Sequence, residues 1–450
     1  MKVLVINGSP KGDYSVTLQT VKYIEHFYPQ CEFEVLNVGK RIKAIEKDFS
    51  SAEESLKNAD ILLFSYPVYT FIAPYQLHRF IEIIKEKNIS LEGKFATQLS
   101  TSKHFYDVTA HRYIQDNCCD LGLKYIKGLS ADMDDLTIEK GQKQAVDFFK
   151  YVLWCVENDK YEKPSVTVTP KKAVKVTVPE NNNGEKQGDV VILTNCEKED
   201  AQLQSMIDRF SAVSKRKTRI INIGEYAFSG GCLGCFHCSS TGKCIYKDGF
   251  DEFLRNEIQK TQAIVYAFSI KDHSMGASFK LYDDRQFCNG HRTVTMGMPV
   301  GYLISGNYNE EFNLQMIVEG RAQVGTNFLA GVATDEVNPD SEIDALAETL
   351  EFALENAYVP PQNFYGIGGM KIFRDLIWLM QGMMRADHKF FKAHGQYDFP
   401  QKKRGTMLAM YAIGSLMSSP KLMKKAGNMV NEGMLMPYKK VLDNLEKDKK

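Results

Sequence analysis

The feature that most constrains this 450-residue chain is a strand, a turn and a helix at its start. The run KVLVING is short, rich in β-branched residues and without a polar face, which is typical of a strand buried on both sides in a parallel sheet. The segment SPKGDYS follows, and VTLQTVKYIEHF then has helical spacing. Strand and helix patterns keep alternating to about residue 155, so we predict an α/β fold with a doubly wound parallel sheet.

The turn after the first strand has the composition of an anion-binding loop. Free N–H groups at a helix start attract an anion, and the helix dipole adds to the attraction. The hydroxyl groups of Ser9, Ser15 and Thr17 can donate further hydrogen bonds. An alternative is that Ser15 only caps the helix and Gly8 only serves the turn.

Ligands of doubly wound sheets bind beyond the carboxyl ends of the strands. Three predicted loops meet at that edge: Gly8–Thr17, Pro67–Phe71 and Ser100–His104. We therefore expect a binding site there.

Two of these loops resemble a known family. GSPKGDYSVT followed by YPVYTFIAP is similar to the NADPH-dependent FMN reductases of the flavodoxin-like superfamily. The resemblance implies FMN as cofactor and NAD(P)H as electron donor, with the first loop on the phosphate and the other two loops beside the flavin ring. The residues implied are Ser9, Lys11, Ser15, Val16 and Thr17 for the phosphate, and Pro67, Val68, Tyr69, Thr70, Ser100, Thr101 and Ser102 for the flavin. Alternatively, Tyr69 is a surface aromatic residue at a strand end.

The same order of elements recurs in VVILTN, TRIINIG, TQAIVYAFSI and VGYLISG, which predicts an internal duplication. The segment AIVYAFSIKDHSMGASFKLYDDRQF resembles the third strand, flavin loop and next helix of the same family. However, TNCEKEDAQ replaces Gly-Ser-Pro, and Glu197, Glu199 and Asp200 would repel a phosphate. We therefore expect one FMN per chain, in the first half.

The second half also contains a cysteine motif, Cys232-x2-Cys235-x2-Cys238-x5-Cys244. Two successive x2 spacings can direct three thiolates towards one object, and four cysteines suit a 4Fe–4S cluster. Within the superfamily the motif resembles that of the iron–sulfur flavoproteins. Two alternatives stay open, namely a tetrahedral zinc ion and a loop without metal.

We predict four segments: a flavodoxin-like FMN domain (1–158), a linker (159–187), a flavodoxin-like domain with the cysteine motif (188–360) and a basic, methionine-rich helical extension (361–450). The chain has a formal net charge of zero, so nothing global points to nucleic acid. No apolar run is long enough for a membrane span or a signal peptide, and we expect a cytoplasmic protein.

Together these features predict an FMN-dependent NAD(P)H oxidoreductase that passes electrons between FMN and a 4Fe–4S cluster, with a small-molecule or protein redox partner. The alternatives are a non-catalytic electron carrier or redox sensor, and a zinc-stabilised scaffold. We further expect the duplicated halves to pair as a pseudo-dimer, within one chain or in a homo-oligomer. In that pairing, the flavin loops of one half face the region Cys232–Cys244 of the other.

Overall fold

The computed structural model describes residues 1–163, 172–180, 186–417 and 429–447. The first half forms one parallel sheet in the order β2-β1-β3-β4-β5, with β6 also paired to β4. Its strands are β1 (Lys2–Asn7), β2 (Glu32–Leu36), β3 (Ile61–Pro67), β4 (Phe95–Ser102), β5 (Lys124–Tyr125) and β6 (Leu129–Asp132). Its helices are α1 (Val16–Phe27), α2 (Val38–Lys47), α3 (Ser50–Asn58), α4 (Tyr75–Glu86), α5 (Asp107–Asp120) and α6 (Glu139–Glu157).

The second half repeats this topology, because its parallel sheet has the order β8-β7-β9-β10-β11. The strands are β7 (Gln187–Thr194), β8 (Arg216–Asn222), β9 (Ala263–Ser269), β10 (Pro299–Ser305) and β11 (Phe328–Thr334). The helices are α7 (Ala201–Val213), α8 (His237–Thr241), α9 (Phe250–Phe253), α10 (Gly276–Arg285), α11 (Phe312–Gly325) and α12 (Pro339–Asn356). The predicted fold class, two doubly wound parallel sheets, is confirmed.

The first strand shows why its sequence has no polar face. Val3 and Val5 belong to the core on one side of the sheet, and Leu4 and Ile6 belong to the core on the other side. Successive side chains of a strand point to opposite faces, so burial of both faces requires an unbroken apolar run.

The two halves pack through equivalent helices. Helix α4 contacts α10, and each follows the third strand of its sheet; α5 contacts α11, and each follows the fourth strand. One continuous core lies between the sheets and contains Leu77 of the first half and Phe279 of the second. Pairing of like with like is the arrangement of a two-fold dimer, here built within one chain.

Ion pairs reinforce this contact between the halves. The imidazole of His273 lies 2.9 Å from Glu311 and 3.0 Å from Asp120 of the first half. Burial lowers the pKa of His273, but its hydrogen bonds to Asp120 and Glu311 outweigh burial and raise that pKa to about 10. The residue is therefore an imidazolium ion at neutral pH and joins the halves electrostatically. Nearby, Asp272 lies 2.9 Å from His78 and accepts a hydrogen bond of 2.7 Å from the Tyr113 hydroxyl.

The predicted extension is helical, with α13 (Phe364–Leu379), α14 (Arg385–Ala393), α15 (Arg404–Met417) and α16 (Met429–Lys447). One compact unit runs from Met1 to Phe390 and contains both sheets, and Phe391–Lys450 forms a separate unit. Helix α13 packs on α11, which explains why the first unit extends beyond the predicted boundary at residue 361. Within the described ranges, no helix combines the length and apolar character needed to cross a membrane.

The predicted linker lies partly outside the described residues, including SVTVTP at 165–170. Of its described part, residues 172–180 form neither helix nor strand. This part still contacts the second half, because Val176 is buried and the backbone N–H of Val174 donates to the carbonyl of Asp335 at 2.8 Å. The four-segment division stays a prediction.

Candidate cofactor and redox site

A cavity of about 430 Å³ lies between the two halves, beyond the carboxyl ends of the first sheet. All five residues predicted to hold the phosphate line it, as do Pro67–Phe71, Thr101 and Ser102. The four motif cysteines line it too. Ser100 does not line it, because this side chain is buried and lies 2.8 Å from Nε2 of His111.

The predicted phosphate loop, Gly8–Thr17, is held in shape by the end of β1. The side-chain amide of Asn7 donates to the carbonyl of Gly12 at 3.1 Å and accepts from the N–H of Ser9 at 3.2 Å. Gly12 has φ +55°, a conformation that favours glycine. Ser15 caps α1, since its hydroxyl accepts from the N–H of Leu18 at 3.3 Å. The loop therefore has its shape before any ligand binds.

Two buried hydroxyl groups at this site lack a partner. Neither Oγ1 of Thr17 nor Oγ1 of Thr101 has a hydrogen bond to any residue that the structure describes. Buried polar atoms are nearly always hydrogen-bonded. Both threonines line the cavity, one in the first turn of α1 and one at the end of β4. These residues therefore fit a ligand with hydrogen-bonding groups at both places, as FMN has in its phosphate and its ring system.

The loop after β3 has a strained backbone. Thr70 has φ +43° and Phe71 has φ +75°, and residues with side chains rarely adopt such values. The second half holds this conformation: Arg321 donates to the carbonyl of Thr70 at 3.2 Å, and Nζ of Lys280 donates to the carbonyl of Tyr69 at 3.0 Å. The predicted flavin loop is therefore positioned by the other half of the chain.

A buried charge cluster, Lys280, Asp283, Asp284 and Arg321, carries this contact. Nζ of Lys280 donates to the carboxylates of Asp283 and Asp284 and to the hydroxyl of Thr70, which also donates to both aspartates. Arg321 donates to Asp283 at 2.7 Å. Sequence reasoning assigned LYDDR only to a helix and missed this role. The available signal was three charged residues within five positions of a helix that faces a core, because charged residues are almost never fully buried unless they are paired.

The cysteine segment adjoins the predicted flavin and phosphate loops. A Cβ atom on Gly234, which has φ +58°, would collide with the hydroxyl group of Tyr69. Nζ of Lys11 lies 5.5 Å from the ring centroid of Phe236. The cysteine segment therefore lines the same cavity as the loop Pro67–Phe71 and as Thr101–Lys103 of the third loop, which is the arrangement expected from the sequence.

The thiols themselves form no closed ligand set. Within the described residues, no group of three His, Cys, Asp or Glu side chains converges as a metal ion requires. All ten cysteines are free, and burial raises the pKa of Cys232 and that of Cys238, the latter to about 11. These two groups are therefore neutral thiols unless a metal or another cation favours the thiolate. The sequence-based metal site stays a prediction.

The helix start in the second half is already occupied by the chain itself. Asp200 caps α7 by accepting from the N–H of Leu203 at 3.1 Å, and it also accepts from the Ser269 hydroxyl. Glu197 pairs with Lys271 at 2.7 Å. A second phosphate would have to displace a carboxylate from the helix terminus, which supports the expectation of one FMN.

Comparison with known proteins agrees with this fold. A family model described as flavodoxin-like fold matches residues 1–112, about a quarter of the chain. No curated protein matches the sequence. By fold, the chain therefore combines a flavodoxin-like first half with a second parallel sheet of the same strand order.

Solved structures resemble one half of the chain. An FMN-dependent NADH-azoreductase from Bacillus anthracis is 16% identical, with a TM-score of 0.27 over 35% of this chain and 98% of its own. An NADH:FMN oxidoreductase is 18% identical, with a TM-score of 0.31 over 36% and 92%. An NAD(P)H:quinone oxidoreductase from Methanothermobacter marburgensis is 12% identical, with a TM-score of 0.28 over 37% and 99%. At this distance the likeness concerns the fold alone.

Proposed function

We propose that this chain is an FMN-dependent NAD(P)H oxidoreductase. The observation that carries the proposal is the cavity between the halves, where the phosphate loop, the loop after β3 and the unpartnered hydroxyls of Thr17 and Thr101 meet. When bound, FMN supplies hydride acceptance and single-electron release, and the protein supplies position and surroundings.

The chain's own residues then have distinct tasks. The hydroxyls of Ser9, Ser15 and Thr17 and the N–H groups at the start of α1 hold the phosphate. Tyr69, Thr70, Thr101 and Ser102, which line the same cavity, would hold the flavin ring. The core around Phe71, which is buried against Phe105 and Tyr106, keeps water from this edge of the cavity.

The test is reconstitution with FMN followed by turnover. We expect one tightly bound FMN per chain and repeated oxidation of NADH or NADPH when an excess of ferricyanide is present. Slow reduction that stops after one equivalent would instead identify a non-catalytic carrier or sensor. Two tightly bound FMN per chain would contradict the assignment of the site to the first half.

We further propose that Cys232, Cys235, Cys238 and Cys244 ligate a 4Fe–4S cluster that exchanges electrons with FMN. Their spacing supports this, and so does their position on the same cavity as Tyr69. A tetrahedral zinc ion held by the same four cysteines is the alternative.

Replacement of Cys235 by alanine is expected to remove iron and sulfide while FMN stays bound, because Cys235 belongs to the second half and the phosphate loop to the first. Iron, acid-labile sulfide and flavin are counted per chain after anaerobic purification. Cys196→Ala is the matched control, since this partly exposed thiol lies in the same half but outside the motif. Native protein that contains zinc and no sulfide would refute the cluster.

A further inference from the structure

A histidine and an aspartate, His291 and Asp387, form a pair at the wall of the cavity. Nδ1 of His291 lies 2.9 Å from Oδ2 of Asp387, and the backbone N–H of His291 donates to the same oxygen at 3.1 Å. Asp387 is completely buried, whereas His291 keeps 13% of its side chain exposed and lines the cavity. The two residues are 96 positions apart, so no local motif indicates the pair.

The surroundings of this pair fix the orientation of the imidazole. The ring centroid of Phe373 lies 4.8 Å from that of His291 at a steep angle. Gly290 has φ +61°, and any Cβ there would collide with the carboxylate of Asp387, so glycine lets the carboxylate approach. A carboxylate oxygen only accepts hydrogen bonds, so the tautomer that fits an Asp387 carboxylate places the proton on Nδ1 of His291. Nε2 of His291 has no partner in the part of the chain that the structure describes.

Arg292 and Cys238 interact electrostatically with Asp387. Nε of Arg292 lies 3.4 Å from Oδ1 of Asp387. After burial, the charge of Asp387 is the largest cause that raises the pKa of Cys238, on α8. Asp387 thus has one cation and one imidazole beside it. A buried carboxylate on Nδ1 stabilises an imidazolium that forms at the other nitrogen, as in acid–base pairs of many enzymes.

We propose that His291 is the proton donor to the compound reduced in this cavity and that Asp387 is its positioning residue. This inference rests on the proposed function. An acceptor that carries a carbonyl group gains a hydride equivalent, which is two electrons and one proton, from the NAD(P)H oxidised in the same cycle, and His291 supplies the second proton. The N–H bond at Nε2 breaks, an O–H bond forms on the acceptor, and solvent returns a proton to the neutral imidazole. The contact with Asp387 occupies Nδ1, so the proton is transferred at Nε2.

The first experiment separates proton delivery from electron delivery. A two-electron acceptor, 1,4-benzoquinone, needs protons, whereas ferricyanide takes single electrons and none. We expect His291→Gln to lower kcat with benzoquinone at least tenfold, within the roughly 10²–10⁴-fold that general acids contribute. With ferricyanide, turnover and FMN content should stay within twofold of the parent protein. His26→Gln, an exposed histidine on α1, is the matched control.

The second experiment needs no cofactor. Side-chain ¹⁵N NMR of the FMN-free protein is expected to show His291 with its proton on Nδ1 when neutral. Asp387→Asn should weaken the preference for the proton on Nδ1, and it should lower kcat with benzoquinone while turnover with ferricyanide stays within twofold of the parent protein. Asp387→Glu should restore part of both effects.

Each outcome bears on one claim. Equal losses with both acceptors in His291→Gln would show that the residue acts on structure or on electron entry, which would overturn the inference and leave the proposed function intact. Turnover with neither acceptor in the parent protein would refute the proposed function. A neutral His291 with its proton on Nε2 would overturn the pairing itself, whatever the activity.

Discussion

Replacement of Lys280 by methionine is expected to lower the free energy of unfolding by about 3–5 kcal/mol, because it leaves buried carboxylates without their cation. Lys280 and Asp284 are fully buried and Asp283 nearly so, and Lys280 contacts both. Methionine keeps most of the side-chain volume, so the loss in the free energy of unfolding measures the contribution of the Lys280 charge and its hydrogen bonds. Urea unfolding monitored by circular dichroism measures it, with Lys22→Met, an exposed residue on α1, as the control.

The pH dependence of this loss has a defined sign. Burial raises the pKa of Asp284 even with Lys280 beside it, and removal of Lys280 raises it further. A carboxyl group whose pKa is higher in the folded state stabilises the fold less as the pH rises through that pKa. We therefore expect a larger loss at pH 8 than at pH 5, and partial recovery in the double variant K280M/D284N. A loss below about 1 kcal/mol at both pH values would show that the cluster is not essential to the packing of the halves.

Replacement of Ser15 by aspartate is expected to weaken FMN binding at least about 100-fold, because unit charges about 4 Å apart repel by roughly 4 kcal/mol near a protein surface. The effect is specific to the ligand, since aspartate caps a helix as well as serine does. Isothermal titration of the flavin-free protein with FMN measures the affinity.

The matched control is Ser15→Asn, which has the same size and keeps the cap without the charge. It should retain affinity within about tenfold, and both variants should unfold at the same urea concentration as the parent. Equal affinities of the two variants would place the phosphate elsewhere. Riboflavin, which lacks the phosphate, should bind both variants alike.

Much of the fold follows from the sequence because its cause is local. The unbroken apolar run Val3–Ile6 can satisfy burial on both faces only in a parallel sheet covered by helices, and the same pattern in Val190–Leu193 predicts the second sheet. The conformation of the loop Gly8–Thr17 also has a local cause, because Asn7, Gly12 and Ser15, which hold it, lie within nine positions of one another. Most residues named for FMN therefore line the cavity, and Ser100 fails because its side chain is buried against His111.

The sequence by itself determined the two parallel sheets, and it predicted the anion-binding loop Gly8–Thr17 and the acidic residues that replace it in the second half. Only the tertiary structure decided how the halves meet: Lys280 and Arg321 hold the strained loop at Thr70, and His291 meets Asp387 from 96 positions away. The physical reason is that strand and loop patterns depend on neighbours a few residues apart. Charge pairs across a shared core depend on how two surfaces pack. The residue pattern of one segment does not indicate which residue of the other segment it contacts.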